Sequence, residues 1–426
     1  MTELSEKFKK RTCRYDGMPL GKPFLELGDL PLANNLVSPA DQDKKEFRCP
    51  LSLVRSPQSG LVQLTHVVPP DLMFKHYLYV SSTTQTFKDH FAEYAKTVGA
   101  KLGGKPKALA VDIGSNDGLL LACYEQAGMR AVGVDPAENL AAEANRKGLK
   151  TLNRYFDAEC VETILSEYGP ADAVSANNVF AHIDDVDSVC RNVFRLLGPE
   201  GIFVIEFPYL VTMVEQKLFD MIYHEHLSYI AVHSLKYFME KHGFEIFDIQ
   251  EVSSHGGSLR VFNKKRGAKH PVGVTVGRLL AKEKQEGYLE EGIYQRFAAD
   301  VYQIKNDFCS LLRDLKKKGG RIAGYGAPAK ASTILNFYGL GTESIEYLVD
   351  DNPLKQGLRM SGVGIPIVSS EQLRSKMPDH IIIFAWNFAM EIMKKIGRLR
   401  DQGVRFFTPM PYPGAPDPSR PYELLF

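Results

Sequence analysis

The sequence predicts an α/β fold in which most strands run parallel. Four apolar, strand-like runs are separated by helical patterns in the first series, at 108–113, 131–135, 172–176 and 202–206. A second series begins at Arg321, with strands expected at 321–325, 346–350 and 381–385 and a helix from Ala329. Strands that alternate with helices are typical of parallel sheets. The two series therefore predict two Rossmann-like domains.

The 426-residue chain separates into four regions, and its length suits about two or three domains. We predict a small, loop-rich N-terminal domain at 1–90, where prolines interrupt short strand-like runs. The Rossmann-like domains are assigned to 91–270 and 319–426. Between them, 271–318 mixes apolar and charged residues at helical spacing, which predicts one or two connecting helices. The proline-rich tail after Met410 is expected to be an extended arm.

Composition and charge narrow the possible functions. A net charge of +1 provides no basic field for nucleic acid, and no apolar run is long enough for a membrane span. The N-terminus, MTELSEKFKK, lacks the apolar core of a secretory signal. Six cysteines without paired spacing indicate reduced thiols and a cytoplasmic protein. No long amphipathic face remains without an expected packing partner inside the chain, so we expect a monomer.

The most informative motif is an acidic, glycine-containing turn that follows the first predicted strand. From Ala110 to Gly118 the chain reads AVDIGSNDG, and Asp135 ends the next strand, 21 residues after Gly114. A doubly wound sheet places a ribose-binding carboxylate at this spacing. Asn116 replaces the second glycine of the dinucleotide pattern, which suits a ligand without a pyrophosphate. The turn resembles the S-adenosylmethionine (SAM) site of class I methyltransferases; the alternative is any βαβ unit with a tight turn.

A second motif is dense in groups that move protons near neutral pH. Phe219–Tyr229 reads FDMIYHEHLSY and contains Tyr223, Glu225 and His226. It could be an acid–base cluster, a metal site or a polar surface turn. A metal site lacks further ligands at a recognised spacing, and the apolar neighbours fit a surface turn poorly. We favour the acid–base cluster, in which a carboxylate orients an imidazole and a phenol stabilises an oxyanion.

Two further turns are candidate anion sites. The segment 254–261 reads SHGGSLRV, and its Arg260 could fork onto a phosphate or carboxylate. The alternative is a hairpin-like turn in which Arg260 is merely solvated. At 324–330, GYGAPAK is a glycine turn that opens a helix beside Lys330, which also suits an anion. The alternative there is simple packing.

Five motifs in order carry a family resemblance: NVFAHI, FDMIYHEHLSY, HGGSLRVF, GYGAPAKASTILN and VDDNPLKQG. Together they resemble the nucleotide-sugar C-methyltransferases of deoxysugar biosynthesis, over nearly the whole chain. The resemblance implies a small N-terminal domain, a class I SAM methyltransferase domain and a C-terminal Rossmann-like domain. It also implies a reaction, in which carbon 3 of a 4-keto-6-deoxy sugar on a nucleoside diphosphate, usually dTDP, is methylated through an enolate.

The resemblance implies roles for individual residues. His226 corresponds to the general base, with Tyr223 and Glu225 beside it and His182 as the second active-site histidine. The expected cofactor contacts are Asp112, Gly114, Asn116, Asp135 and Asn177. The expected substrate contacts are Tyr77, Tyr79, Ser81, His255, Arg260, Lys330, Asn352 and Lys355.

The sequence departs from the family in its N-terminal domain, which usually holds a structural zinc through two C-x-x-C pairs. The first pair here is Cys13-Arg14-Tyr15-Asp16, and the second is the segment 56–59, SPQS. Cys49 is nearby but isolated, and one or two thiolates with a single Asp do not make a closed tetrahedral site. We therefore predict no zinc, with residues 1–70 held by apolar packing instead.

Two other functions stay open at this point. One is a SAM-dependent O- or N-methyltransferase acting on a small metabolite, which would need no enolate. The other is a non-catalytic protein that binds nucleotide sugars.

Overall fold

The computed structural model describes residues 6–74, 85–412 and 419–425. None of the helices in these ranges combines the length and the hydropathy that a bilayer-spanning segment needs. The strands are β1 (Leu25–Pro31), β2 (Arg48–Arg55), β3 (Val62–Leu64), β4 (Leu109–Ile113), β5 (Arg130–Val134), β6 (Thr151–Leu152), β7 (Ala171–Asn177), β8 (Leu197–Pro208), β9 (Ser228–Tyr229), β10 (Phe244–Val252), β11 (Ser258–Lys265), β12 (Ile322–Tyr325), β13 (Leu348–Val349), β14 (Ile367–Val368), β15 (His380–Ile383), β16 (Arg405–Phe407) and β17 (Glu423–Leu424).

The helices lie mainly between these strands, as the alternating pattern predicts. They are α1 (Asp71–Phe74), α2 (Gln85–Lys101), α3 (Leu119–Gln126), α4 (Glu138–Arg146), α5 (Ala158–Tyr168), α6 (Val186–Leu196), α7 (Leu210–Glu215), α8 (Val232–Lys241), α9 (Val274–Gln285), α10 (Glu291–Lys317), α11 (Ala329–Tyr338), α12 (Gln372–Ser375) and α13 (Ala389–Ile396). The described strands form three sheets.

The middle sheet has seven strands in the order β10-β11-β8-β7-β4-β5-β6. Strands β4 to β8 pair in parallel, whereas β11 runs antiparallel to both β8 and β10. All five residues of β4 are buried, because helices cover both faces of the sheet. Helices α2 and α3 pack on one face, α5 and α6 on the other. The four strands predicted in this region are confirmed to within a few residues.

The N-terminal sheet has the order β1-β2-β3-β9 and includes a strand from far along the chain. Strand β9 pairs antiparallel with β3, so that Gln63 lies opposite Ser228. Apolar side chains of this sheet, such as Leu53 and Leu64, join the core that also covers the middle sheet. The segment that carries the predicted acid–base cluster is therefore anchored to the N-terminal sheet. Helix α2 begins at Gln85, before the boundary predicted at residue 90, and packs on the middle sheet.

The C-terminal sheet has the order β14-β13-β12-β15-β16-β17. Its first five strands are parallel, and the predicted strands and the helix from Ala329 are confirmed. The tail after Met410 differs from the extended arm that we expected. Within its described part, Glu423–Leu424 adds an antiparallel strand beside β16. The connecting region is two helices, α9 and α10, whose buried faces match the predicted helical spacing.

Candidate active site

A cavity of about 580 Å³ opens at the carboxyl ends of β4, β5 and β7. Open α/β sheets bind their ligands at this edge. Its lining includes Gly114, Asn116, Asp135 and Asn177 from the cofactor set, and His182, Tyr223 and His226 from the catalytic set. The structure therefore brings together residues that are more than 100 positions apart in sequence.

The glycine turn after β4 packs tightly because it carries no side chains at two crowded points. Gly114 has a φ of +70°, and a Cβ added there would lie 2.8 Å from a methyl group of Val179. At Gly118, with a φ of +82°, a Cβ would lie 2.6 Å from Leu149. Positive φ and close packing each exclude larger residues. The turn is thus held in the tight form that the sequence predicts.

Asp135 closes the turn from the neighbouring strand. Its Oδ2 accepts a hydrogen bond from the Asn116 backbone N–H at 2.8 Å, and its Oδ1 accepts one from Ala137 N–H at 2.8 Å. Burial raises the pKa of this carboxyl, while the two backbone hydrogen bonds oppose that rise. Each carboxylate oxygen has a further lone pair that could accept from a ribose hydroxyl in the cavity.

Asp112 is the cofactor candidate that does not line this cavity. Ser175 is its register partner on β7, and the Ser175 hydroxyl donates to Asp112 Oδ1 at 2.6 Å. Side chains alternate along β4, so that Leu109, Val111 and Ile113 face one helical layer while Ala110 faces the other, which includes α3. Burial raises the pKa of Asp112 to about 7. Asp112 therefore lies on the strand that leads into the turn, with its carboxylate bonded to Ser175, and its contact with the cofactor stays a prediction.

Asn177 ends β7 with an amide directed to the cavity edge. Its Oδ1 accepts a hydrogen bond from Asn178 Nδ2 at 2.7 Å. Its own Nδ2 is buried and has no hydrogen-bond partner among the described residues. A buried donor without a partner is costly unless a ligand satisfies it. With the glycine turn and Asp135, this donor fits a cofactor that carries hydroxyl and carboxylate groups.

His226 is held with one ring nitrogen fixed and the other facing the cavity. Its Nδ1 lies 2.7 Å from the Met221 carbonyl oxygen, which can only accept, so Nδ1 carries the proton. In the neutral imidazole Nε2 then presents a lone pair, and the Tyr223 hydroxyl, 2.6 Å away, can donate to it. Such an imidazole can take a proton, and the phenol beside it can give one. The sequence predicted both residues but not the backbone carbonyl that sets the tautomer.

The other two catalytic candidates, His182 and Glu225, differ in their contacts with this part of the site. The His182 ring lies edge-on to the His226 ring, with 4.9 Å between ring centroids, and it also lines the cavity. The Glu225 carboxylate is buried and accepts a hydrogen bond from the Asn34 amide at 2.6 Å. Asn34 belongs to the N-terminal region, and sequence reasoning did not single it out. No local motif marks Asn34, because its partner lies 191 residues away.

His224, between Tyr223 and Glu225, faces away from the cavity. Its Nε2 donates to the Cys49 carbonyl oxygen at 3.0 Å, and the ring is almost fully buried. Burial lowers the pKa of His224 to about 4. The dense titratable cluster in the sequence is therefore divided between a cavity-facing side and a buried side.

The low pKa of His224 predicts a loss of stability in mild acid. A histidine of the unfolded chain binds a proton below about pH 6.5, whereas the folded state holds His224 neutral until about pH 4. The unfolded state is therefore favoured progressively as pH falls from about 6.5 to about 4, by at most roughly 3 kcal/mol. Thermal melts across this range should show a steeper fall for the unmodified protein than for His224→Gln. The half-exposed His270, changed to glutamine, is the matched control; equal slopes for all three proteins would contradict the assignment.

A second, larger cavity of about 1760 Å³ lies between the middle and C-terminal sheets. Its lining includes four of the predicted substrate contacts: Arg260, Lys330, Asn352 and Lys355. Tyr223 and Phe87 line both cavities, so these two residues lie where the cavities meet. Tyr77, Tyr79, Ser81 and the side chain of His255 lie outside the described part of the structure.

Lys330 stands at the start of α11 against the only tryptophan of the chain. Its Nζ lies 4.6 Å from the Trp386 ring centroid and, among the described residues, has no hydrogen-bond partner. Trp386 Nε1–H donates to Asp220 Oδ2 at 2.6 Å. Burial lowers the pKa of Lys330, and the Asp220 charge opposes that shift. Asp220, which sequence reasoning did not single out, thus supports this corner of the cavity from the FDMIYHEH segment.

Asn352 and Lys355 belong to the loop that follows β13. Asn352 Oδ1 accepts from the Leu354 backbone N–H at 3.0 Å, which fixes a local turn. Lys355 Nζ donates to the Ala327 carbonyl oxygen at 3.0 Å, and Asp350 accepts from Ala327 N–H at 2.8 Å. The loop is therefore tied to the glycine turn before α11, much as Asp135 is tied to the first glycine turn.

Arg260 differs from the free anion-binding fork that the sequence suggested. Its Nε donates to Glu206 Oε2 at 2.8 Å, and His90 Nε2 lies 2.7 Å from the other oxygen of Glu206. The guanidinium also stacks on Tyr94, 4.1 Å from the ring centroid. The turn before it joins β10 to β11 as a hairpin, but Arg260 is buried and not solvated as that alternative supposed. Arg260 lines the large cavity, but its charge is already paired with an internal carboxylate.

Three family models match successive parts of the chain. A family model for a putative zinc binding domain matches residues 13–74, and one for a methyltransferase domain matches 87–249. A model for a C-methyltransferase C-terminal domain matches 253–411. C-methyltransferase NovU of Streptomyces niveus is 38% identical over 401 residues, covering 94% of this chain and 96% of that protein. The chain belongs to the C-methyltransferase family. It is accordingly a SAM-dependent enzyme, in agreement with the predicted fold and cofactor.

Solved structures are similar to part of this C-methyltransferase. Magnesium protoporphyrin IX methyltransferase of Synechocystis PCC 6803, with bound S-adenosylhomocysteine (SAH), is 16% identical, with a TM-score of 0.33. The match covers 43% of this chain and 89% of that one. A SAM-dependent methyltransferase from Clostridium acetobutylicum ATCC 824 is 13% identical, with a TM-score of 0.35, and covers 42% of this chain and 92% of that one.

Proposed function

We propose that this enzyme methylates carbon 3 of a 4-keto-6-deoxy sugar carried on a nucleoside diphosphate, most simply dTDP, through an enolate. The observation that carries the proposal is the His226–Tyr223 pair, with a fixed tautomer, at the junction of two cavities. A carbon nucleophile next to a ketone must first lose a proton, and this pair supplies a base and a hydrogen-bond donor together.

The two cavities suit the two reactants. SAM, when bound, supplies an electrophilic methyl group, and Asp135, Asn116 and Asn177 would hold it in the smaller cavity. The sugar ring would then lie at Tyr223, with its nucleotide extending into the larger cavity. In that pose His226 Nε2 takes the C3 proton, and the Tyr223 hydroxyl, released from Nε2, donates to the oxygen that becomes the enolate. His182 is a second donor at the same place.

The larger cavity also has features that suit a diphosphate. The start of α11 lines it through Pro328, Ala329 and Lys330, and Lys330 adds a buried positive charge beside the helix N-terminus. Asn352 and Lys355 also line it. We assign Lys330, Asn352 and Lys355 to the nucleotide part of the substrate and leave Arg260 the role of holding Glu206 and His90.

The first experiment is incubation with SAM and a panel of dTDP-, GDP- and UDP-linked 4-keto-6-deoxy sugars, followed by mass spectrometry. A product heavier by about one methylene, with the methyl on carbon 3 by NMR, is the expected result. The same reaction in deuterium oxide without SAM should exchange the C3 proton. A methyl on oxygen, or no gain on any sugar while SAH still binds, would overturn the substrate assignment.

Replacing Lys330 with methionine is expected to raise KM for the nucleotide sugar about tenfold or more, since a buried ion pair to phosphate is lost. SAH affinity should stay within about twofold, because Lys330 does not line the smaller cavity. Exposed Lys394, changed to methionine, is the control. Because the substitution leaves Asp220 without a neighbouring positive charge, a thermal melt is used to check that the variant is folded. An unchanged KM in a folded variant would show that Lys330 does not bind the substrate.

A further inference from the structure

The four positions that correspond to the zinc ligands of the N-terminal domain converge in space. The Ser56 hydroxyl donates to Asp16 Oδ2 at 2.6 Å, and the Ser59 backbone N–H donates to the same oxygen at 2.9 Å. The Cys13 thiol and the Ser59 hydroxyl are hydrogen-bonded at 3.3 Å. We call Cys13, Asp16, Ser56 and Ser59 the N-terminal cluster. Sequence reasoning expected apolar packing alone in this region.

The two turns that carry the N-terminal cluster have the same backbone form. Gly17 N–H donates to the Cys13 carbonyl and Gly60 N–H donates to the Ser56 carbonyl, both at 3.0 Å. The two glycines have φ values of +74° and +72°. The pair of turns is therefore preserved, although only one of the four side chains is a cysteine.

The donors of the N-terminal cluster do not suit a metal ion. Only one of its four side chains is a thiol and two are neutral hydroxyls, whereas structural zinc is held by thiolates and imidazoles. The Asp16 carboxylate already accepts hydrogen bonds from the Ser56 hydroxyl and from the Ser59 and Met18 backbone N–H groups. Among the described residues, no group of three His, Cys, Asp or Glu is placed to hold a metal ion.

Arg14, inside the first turn, connects the N-terminal cluster to the active site. Its Nε donates to Asp184 at 3.0 Å, and its Nη1 donates to the Leu227 carbonyl oxygen at 2.9 Å. Asp184 lies two residues after His182, and Leu227 directly follows His226. One buried guanidinium therefore joins the two segments whose histidine rings touch in the cavity.

We propose that the N-terminal cluster is a metal-free replacement for the structural zinc site, and that it holds Arg14 as a positioning residue for the two active-site histidines. The Asp16 carboxylate takes the bridging place between the two turns that a metal would occupy. Fixing the turn around Asp16 fixes Arg14, and Arg14 reinforces the spacing of the histidine segments, which the Leu227 backbone N–H also joins by donating to the Ala181 carbonyl oxygen at 2.8 Å. The residue does not touch substrate or cofactor.

The metal-free part is tested by metal analysis and by restoring the missing ligands. Purified protein, after exhaustive dialysis, should contain no stoichiometric metal, and its melting temperature should not change with a chelator. The variant Asp16→Cys/Ser56→Cys/Ser59→Cys should bind one Co²⁺ per chain with thiolate-to-cobalt charge-transfer absorption. One tightly held zinc in the unmodified protein, or no cobalt site in the folded triple variant, would overturn this part.

The positioning part is tested with Arg14→Met. A small displacement of catalytic groups can cost roughly a hundredfold, so kcat should fall about 10- to 100-fold. SAH affinity should stay within about twofold, since Arg14 does not line the smaller cavity. Exposed Arg11, changed to methionine, is the matched control. An unchanged kcat, or losses in SAH affinity as large as those in kcat, would contradict a positioning role. The metal measurements need no sugar substrate, so they stand or fall independently of the function proposed above.

Discussion

Replacing His226 with glutamine is expected to lower kcat by about 10²- to 10⁴-fold, the range that general-base catalysis contributes. An amide keeps a polar group near Met221 but has no lone pair basic enough to take a proton from carbon. SAH binding should persist, because the residues proposed to hold the cofactor lie on β4, β5 and β7. The loss should therefore appear in the chemical step.

Two measurements on His226→Gln separate proton removal from methyl transfer. Solvent deuterium should no longer exchange into carbon 3 of the keto sugar, and the methylated product should disappear with it. His270→Gln, far from the cavity, serves as the matched histidine control. If exchange continues while methylation stops, the base is another residue, and His182 is the next candidate because its ring touches His226.

Replacing Asp135 with asparagine is expected to weaken SAH binding by about 10- to 100-fold. Both carboxylate oxygens accept backbone hydrogen bonds, from Asn116 and Ala137. An asparagine can accept only with one side, so its NH₂ group must face one of these donors. Hydrogen bonds to charged groups are worth about 1.5–3 kcal/mol each, and an unsatisfied buried donor costs a similar amount.

Isothermal titration with SAH measures the effect of Asp135→Asn directly. The neighbouring Glu138, which is exposed at the start of α4, is changed to glutamine as the control. The control should bind SAH as the unmodified protein does. Equal affinities for Asp135→Asn and the unmodified protein would show that this carboxylate does not contact the cofactor.

Much of the cofactor site could be predicted because its signals are local. Gly114, Asn116 and Asp135 lie within 22 positions of one another, and the strand–turn–helix pattern alone places them at one sheet edge. Asp112 shows what the motif leaves open. A motif gives the order of residues but not the partner of each side chain, and here the Asp112 carboxylate accepts a hydrogen bond from Ser175 and does not line the cavity.

The large cavity was less predictable because its polar groups are divided between domains. Lys330, Asn352 and Lys355 came from motifs, and the structure places all three on one wall. Arg260 came from a motif as well, but its guanidinium is paired with Glu206, which carries no sequence signal of its own. No local sequence signal marks Asp220 either, since its partner Trp386 lies 166 positions away.

By itself, the sequence determined the two series of strands and helices, the glycine turns and the segment in which titratable residues cluster, because periodicity and turn chemistry act between near neighbours. Only the tertiary structure decided which of those side chains meet. It set the tautomer of His226 through a backbone carbonyl, turned His224 into the core and joined Arg14 to Leu227 across 213 positions. Contacts at that separation depend on how whole sheets pack, and no local pattern of residues encodes that packing.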